Sequence, residues 1–296
     1  MTPLNTSYSS LRITDAHVHF WDLSKMSYPW LDDVPAIKKT LGLAEYREAT
    51  KEIPISNLIF LQCECLPDEY QTEVDYVTQL ATQDSRICGI VAYFPLESDQ
   101  ALEKLKALTT NKLVKGIRRL EEESISLYGN PRFIAHMELL CQHNLSFDLC
   151  VKAHQLLAAV KLVEAAPDVR YMLDHFGKPA IRTNAFSQWK HHITELAKNP
   201  RVHCKLSGLV TEADWDRWTV ADLQPYVEVV MEHFGPARMA FGGDWPVVTL
   251  ASDYARWFDT ALQLCRGLSP DELTRVFYQN ALDFYQIDSY DPHDTI

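Results

Sequence analysis

The residues best suited to chemistry begin in one short stretch, Ile13–Trp21, which contains Asp15, His17 and His19. The apolar start of this stretch predicts a first β-strand, in which side chains alternate between two faces. Asp15, His17 and His19 are therefore predicted to point the same way. Two histidines at positions i and i+2 can bind one metal ion or one substrate oxygen from the same side. Histidines at this spacing can also make only structural hydrogen bonds. The other residues of the chain must therefore distinguish a binding site from a structural pair.

Size and composition restrict the classes of function. The chain has 296 residues, of which 47% are hydrophobic and 23% charged, as is ordinary for a globular protein. Its formal charge of −12 argues against binding nucleic acid or an anionic membrane through bulk electrostatics. No stretch is typical of a signal peptide or a membrane-spanning helix. The seven cysteines lie mostly in apolar runs, and we expect them to be reduced and structural in a cytoplasmic protein.

Short apolar runs recur along the chain and predict eight β-strands. Strands that alternate with helices pair in parallel through crossovers, and eight such units in about 250 residues are typical of a (β/α)8 barrel. No glycine-rich phosphate loop follows the first strand, which argues against a dinucleotide-binding sheet. The predicted strands are Leu11–His17, Asn57–Cys63, Ile87–Phe94, Leu113–Leu120, Ser146–Val151, Val169–His175, Arg201–Ser207 and Arg238–Asp244.

Helical spacing and capping signals fill the intervals between these strands. Asn130-Pro131 is typical of a helix start, and a capping sequence at Ser269 opens a tail to Gln286 that we expect to pack outside the barrel as a final helix. No linker or low-complexity tract interrupts the chain. We therefore expect one α/β domain over residues 1–296, with residues 1–10 as a polar N-terminal extension. Predicted helical segments include Tyr70–Leu80, Phe133–Leu140, Leu156–Val163, Trp189–Leu196 and Val227–Phe234.

Polar residues gather at the predicted C-terminal ends of the strands, where barrel enzymes carry their reactive groups. On the eighth strand Asp244 shares a face with Gly242, while the bulky Met239 and Phe241 take the other face. Because the bulky face of a barrel strand packs on the outer helices, Asp244 is predicted to point inward. The other polar residues at strand ends include His17, His19, Glu64, Arg118, His154, His175 and Lys205.

Strand parity also indicates which side chains of the second and fourth strands point into the barrel. Glu64 shares a face with Gln62, and its carboxylate is the better inward candidate of the two. Arg118 shares a face with Gly116 and is preferred to Arg119 as the inward residue.

Five stretches, spread in order over residues 13–246, together resemble the amidohydrolase superfamily, and in particular its branch of sugar-acid and pyrone-dicarboxylate lactonases. The resemblance implies a distorted (β/α)8 barrel with His17, His19, His175 and Asp244 at its mouth, positions that hold a divalent metal in many members. The pair Arg118-Arg119 stands at the end of the fourth strand, where a bridging lysine would be expected, so we expect at most one ion, zinc if any. The branch also includes metal-independent enzymes. The stretches are Asp15–Trp21, Gly116–Arg119, Asp174–Pro179, Cys204–Leu209 and Phe241–Pro246.

The resemblance implies hydrolysis of the lactone ring of a sugar acid, a small-molecule substrate. This reaction needs a water nucleophile, a base, and groups that stabilise charge on the carbonyl oxygen. We predict Asp244 as the base. His17, His19 and His175 would polarise the carbonyl, directly or through a metal that also lowers the pKa of bound water. Arg118 would hold a substrate oxygen with its fork of donors.

Six further residues are predicted to bind the substrate or to support the residues that do. Aromatic side chains stack on the C–H faces of sugars, although those in the segment after the first strand could equally anchor a surface loop. The polar residues would take sugar hydroxyls or brace the pocket. The six are Glu64, His154, Trp21, Trp30, Lys205 and Trp245.

Two other functions remain open on the sequence. One is metal-dependent decarboxylation of an aromatic acid on the same fold, although such relatives usually have a glutamate where this chain has Asp15. The other is a barrel that has lost its chemistry and only binds, against which stands the full set of His17, His19, His175 and Asp244. The sequence does not say which sugar acid is bound or whether the protein is a monomer or a homodimer.

Overall fold

The structure is a computed structural model that describes residues 11–121, 126–183 and 185–288, so the predicted N-terminal extension lies outside it. Within these ranges eight strands form one parallel sheet in chain order. All eight predicted strands are present, and several end earlier than predicted because the chain leaves the ladder as it enters the mouth. The strands are β1 (Ile13–Val18), β2 (Ile55–Leu61), β3 (Ile87–Tyr93), β4 (Val114–Arg118), β5 (Ser146–Leu149), β6 (Arg170–Leu173), β7 (Val202–Leu206) and β8 (Met239–Phe241).

The first and last strands meet at a seam that nearly closes the sheet into a ring. Val18 forms a parallel bridge with Trp245. The backbone N–H of Asp244 donates to the carbonyl of His17 at 2.8 Å, and that of His19 donates to the carbonyl of Trp245 at 2.8 Å. The predicted (β/α)8 barrel is therefore confirmed, and the seam brings the end of β8 beside the end of β1.

Helices surround the ring, and each of the five predicted helical segments lies within an observed helix. Asn130 caps its helix as predicted, since its side chain accepts from the N–H groups of Arg132 and Phe133. In the described residues no helix combines the length and the apolar character needed to cross a membrane. The helices are α1 (Leu43–Ala49), α2 (Tyr70–Gln83), α3 (Ala101–Leu108), α4 (Pro131–Gln142), α5 (Leu156–Ala165), α6 (Phe186–Ala197), α7 (Leu209–Glu212), α8 (Val220–Phe234), α9 (Tyr254–Leu264), α10 (Pro270–Thr274) and α11 (Asn280–Tyr285).

The C-terminal tail differs from its prediction. The capping box at Ser269 is present, but a π-helical turn at Arg275–Gln279 separates α10 from α11. Phe284 and Tyr285 of α11 pack in a buried cluster with side chains from β1, β2, β3, β6 and β8. Side chains from opposite sides of a barrel can meet only inside it, so the end of the tail fills the interior instead of packing outside. The strand residues of the cluster are Ala16, Ile59, Leu61, Val91, Met172 and Ala240.

All seven cysteines are free, as expected from their apolar surroundings, and Cys141 is the exposed one. Five of the other six are buried within the core or beside the strands, where a thiol packs as a small hydrophobe.

Candidate active site

Two histidines enter the mouth of the barrel from the end of β1. The Nε2 atoms of His17 and His19 lie 3.1 Å apart, so both rings face one point. The pairing of β1 with β2 shifts register between Asp15 and Val18. Such a bulge redirects the side chains that follow it.

The same bulge overturns the prediction that Asp15 shares a face with the histidines. The buried carboxylate of Asp15 accepts hydrogen bonds from the N–H of His17 (3.1 Å) and of Gly243 (2.7 Å). It also accepts from the hydroxyls of Tyr46 (2.9 Å) and Tyr254 (2.8 Å), which belong to the outer helices α1 and α9. Burial raises the pKa of Asp15, and these four hydrogen bonds oppose the rise. Asp15 therefore ties the seam together from outside the site.

Asp244 faces the histidines across the seam, pointing inward as strand parity predicts. Its Oδ1 lies 3.6 Å from Nε2 of His17, 3.7 Å from Nε2 of His19 and 3.8 Å from Nε2 of His175. Burial raises the pKa of Asp244, but the interactions of its carboxylate with the neighbouring His175 and His19 lower it below its usual value. The carboxylate is therefore ionised at neutral pH.

His175 reaches the site from an unusual turn after β6. His175, Phe176, Gly177 and Lys178 all have positive φ, at 51°, 55°, 65° and 44°. A left-handed backbone costs a residue with a side chain roughly 1–2 kcal/mol, so this turn stores strain. Gly208 leaves room for the ring, because a Cβ there would lie 2.4 Å from the Nδ1 of His175.

Hydrogen bonds to Nδ1 orient each ring. The Nδ1 of His19 lies 2.8 Å from the carbonyl of Leu61, and that of His175 lies 2.8 Å from the hydroxyl of Ser207. A carbonyl can only accept, so His19 carries its proton on Nδ1 and presents the Nε2 lone pair to the site. Burial lowers the pKa of all three histidines, and that of His175 falls to about 4. The rings are therefore neutral at physiological pH.

Two buried cations and two buried carboxylates lie directly beneath the histidines. Arg118 donates to Asp174 at 3.2 Å and to the carbonyl of Gln62 at 2.5 Å. The ammonium of Lys205 lies 2.6 Å from Asp148 and 2.9 Å from Asp174. Both Arg118 and Lys205 thus have their charges largely satisfied within the protein.

The choice of Arg118 over Arg119 as the inward residue is confirmed. An Arg118 nitrogen lies 3.4 Å from Nε2 of His17. Arg119 instead pairs with Glu97 at 3.0 Å and lies over the ring of Tyr93.

The three polar residues predicted to bind the substrate differ in burial and in position. Glu64 is partly buried, has a φ of 55° and accepts from the side chain of Gln62 at 2.5 Å, close to the Arg118 contact. His154 is exposed in the short turn that follows β5. Lys205 is fully buried, and its ammonium lies 3.4 Å from the Nδ1 of His17.

The predicted aromatic ligands are engaged with the protein itself. The indole N–H of Trp21 donates to the carbonyl of Lys39 at 2.7 Å, and the side chain is fully buried. Trp30 is partly buried and donates to the carbonyl of Cys63 at 2.8 Å. These contacts favour the alternative that both anchor the loop after β1. Trp245 is also buried and lies against the rings of Phe20 and Tyr46.

Sequence patterns missed Asp174, Lys178 and Glu212. Asp174 precedes His175 and was not among the predicted site residues. Lys178 and Glu212 interact electrostatically with each other and with Asp244. Burial raises the pKa of Glu212. Asp174 and Lys178 could have been found from the sequence, because both lie inside the stretch Asp174–Pro179.

The donor atoms at the mouth fit one metal ion. His17, His175 and Asp244 offer ligand atoms that all lie within 4.8 Å of one another, and the Nε2 of His19 lies 3.1 Å from that of His17. A tetrahedral zinc ion would hold its ligand atoms about 3.3 Å apart, and several of the observed separations lie near this value. Neutral imidazoles and an ionised carboxylate are the forms that bind metal. Across the described ranges this is the one group that gathers three such residues.

Comparison with known proteins agrees with this geometry. An L-fucono-1,5-lactonase of Burkholderia ambifaria is 32% identical over 93% of this chain and 95% of its own length. An L-rhamnono-gamma-lactonase of Scheffersomyces stipitis is 24% identical over 94% of this chain and 100% of its own length. The crystal structure of an amidohydrolase from Burkholderia multivorans with bound zinc superposes with a TM-score of 0.85 at 25% identity, covering 94% of this chain and 100% of that one.

A 2,6-dihydroxybenzoate decarboxylase from Rhizobium is more distant. It superposes with a TM-score of 0.63 at 13% identity, over 94% of this chain and 99% of its own, and so shares the fold alone. The family model described as "Amidohydrolase" matches residues 14–287. The chain, with its eight-stranded barrel and its histidine and aspartate cluster at the mouth, belongs to the amidohydrolase family.

Proposed function

We propose that this protein is a hydrolase that opens the lactone ring of a sugar acid. The observation that carries the proposal is Asp244, an ionised carboxylate within 3.8 Å of three neutral histidines at the barrel mouth. Lactonase relatives that span nearly the whole chain support the same substrate class.

The residues suggest a base-assisted attack by water. Asp244 takes a proton from water as the water oxygen bonds to the lactone carbonyl carbon, and the π electron pair moves to the carbonyl oxygen. His17 and Arg118 lie where they can stabilise that oxygen. When the carbonyl re-forms, the bond to the ring oxygen breaks, and Asp244 returns the proton to this oxygen. One lactone and one water thus give one hydroxy acid, which ionises to its carboxylate.

A bound divalent ion would polarise the carbonyl and lower the pKa of a coordinated water. His17, His19, His175 and Asp244 are the residues that would hold it. Their second hydrogen bonds, such as that of His19 to Leu61, keep the ring nitrogens pointed at the same place with or without an ion.

We expect at most one divalent ion per chain. The described residues supply one group of three or more ligands, and Arg118 lies close enough to oppose a second cation electrostatically. Elemental analysis of protein purified in zinc-supplemented medium checks the number. Two equivalents per chain would contradict the expectation. Exhaustive chelation, followed by an activity assay, then shows whether the histidines and Arg118 suffice.

The competing functions receive less support from the site. Asp15, at the position where we would expect a glutamate in an aromatic-acid decarboxylase, is turned away from the mouth and bound to two tyrosines. A barrel that only binds would not need Asp244, His17 and His175 gathered around one point.

A panel of lactones tests the proposal. The pure protein is incubated with aldonolactones of five- and six-membered rings, including L-fucono-1,5-lactone and L-rhamnono-1,4-lactone, in weak buffer with a pH indicator. We expect acid release well above the spontaneous rate for at least one of them. Aromatic hydroxy acids are assayed in parallel for loss of carbon dioxide. Carbon dioxide release without any lactone opening would refute the proposal.

A further inference from the structure

The left-handed turn after β6 brings a second side chain to the site besides His175. The N–H of Lys178 donates to the carbonyl of His175 at 2.8 Å, so the turn has a three-residue repeat. Side chains at positions i and i+3 of such a turn lie over one another. Lys178 therefore lies on the same side as His175.

The surrounding core holds this turn in its strained form. The backbone carbonyl of Phe176 accepts a hydrogen bond from the indole of Trp189 at 2.7 Å, and its side chain is fully buried. Leu156 packs so closely on Gly177 that a Cβ there would lie 2.6 Å from it. Backbone strain that the surrounding structure maintains is concentrated at active sites and ligand-binding sites.

Lys178 differs from the other two cations of the site in its electrostatic partners. Unlike Arg118 and Lys205, its ammonium makes no ion pair or hydrogen bond with the described residues. The pKa of Lys178 is raised, chiefly by the neighbouring Cys150 and further by Glu212 and Asp244, while burial opposes the rise. Lys178 is thus a partly buried, charged group close to the proposed base.

Lactone hydrolysis needs such a charge. The substrate is neutral, whereas the tetrahedral intermediate carries an oxyanion and the product carries a carboxylate. Both anions form beside Asp244, and Arg118 and Lys205 already offset other buried carboxylates. A positive charge without a partner among the described residues would stabilise these anions more than the substrate, which is the requirement for raising kcat.

We propose that Lys178 is a catalytic residue whose ammonium stabilises the negative charge that develops on the substrate oxygen and remains on the carboxylate product. The assignment rests on the proposed lactonase function. In this assignment, the strained turn holds the side chains of Lys178 and His175 at the same site.

Substitution at Lys178 tests the assignment. Lys178→Met keeps an unbranched side chain and the same backbone strain, so we expect a normal fold and a kcat lowered about 10²–10³-fold, the usual effect of losing one oxyanion donor. KM for the neutral lactone should change by less than about threefold. Lys178→Arg should recover part of kcat. The matched control is Lys152→Met, which removes an exposed lysine from the same face and should leave kcat within about threefold of the wild type.

The Lys178→Gly variant distinguishes an effect on catalysis from an effect on folding. Lys178→Gly relieves the strain of the positive φ, so we expect a melting temperature at least as high as that of the wild type, together with the low kcat of Lys178→Met. A Lys178→Gly or Lys178→Met protein with wild-type kcat would overturn the assignment while leaving lactonase activity established. So would a raised KM with unchanged kcat, because that pattern reports equal binding of substrate and transition state.

Calorimetric binding of L-fuconate provides a readout that does not depend on turnover. We expect Lys178→Met to weaken it about tenfold or more and Lys152→Met to leave it unchanged. If the wild type opens no lactone yet binds L-fuconate through Lys178, the lactonase proposal fails and the anion site stands. Equal binding by wild type and Lys178→Met, or none by either, overturns the anion site.

Discussion

Replacing Asp244 with asparagine is expected to lower kcat by about 10²–10⁴-fold, the contribution of a positioned general base, without unfolding the protein. Asparagine has the same shape as aspartate but cannot take a proton from water. The backbone of Asp244 is held by its own hydrogen bond to His17, which the substitution does not touch. Steady-state kinetics on the best lactone of the panel, with circular dichroism as a check of the fold, measure the effect.

The control for this experiment is Asp216→Asn, at an exposed aspartate in the loop between α7 and α8, which should retain full activity. A folded Asp244→Asn protein with near-wild-type kcat would show that the base lies elsewhere. Glu64, partly buried beside Gln62, would then be the next residue to replace.

Replacing Asp15 with alanine is expected to be among the most destabilising single changes in the chain. The substitution leaves two backbone N–H groups and the hydroxyls of Tyr46 and Tyr254 without their acceptor in a buried place. Each unsatisfied buried donor costs about 1–3 kcal/mol, although rotation of the hydroxyls recovers part of this. We expect the free energy of unfolding to fall by on the order of 4 kcal/mol.

Urea unfolding followed by circular dichroism measures this change. Asp15→Asn, which keeps one acceptor oxygen, should lose about half as much stability. Asp75→Ala, at an exposed position of α2, is the matched control and should lie within about 0.5 kcal/mol of the wild type. An Asp15→Ala protein that is as stable as this control would show that the seam does not depend on the carboxylate.

The sequence predicted those features that follow from regular periodicity. Each strand is a short buried run, so their number and order could be read directly. Parity also predicted the inward direction of Asp244, although β8 ends at Phe241 and Asp244 itself has a φ of 54°. The inward choice of Arg118 succeeded because β4 pairs with both of its neighbours in unbroken register from Gly116 to Arg118.

Irregular backbone explains what the sequence did not predict. A bulge in β1 turns Asp15 outward while His17 and His19 stay in the site. The left-handed turn places Asp174, His175 and Lys178 in one region, although alternation would separate them. Neither feature has a compositional signature, because non-glycine residues adopt these conformations only when tertiary packing holds them.

The seam between β1 and β8 also determines when the site can exist. The hydrogen bond from Gly243 to Asp15 joins residues 228 positions apart, and the same seam sets Asp244 opposite His17. A nascent chain therefore carries its two strand-one histidines from the start, yet it has no site until β8 has left the ribosome. In refolding, the return of activity should mark the docking of the two ends of the chain, after the helices have formed.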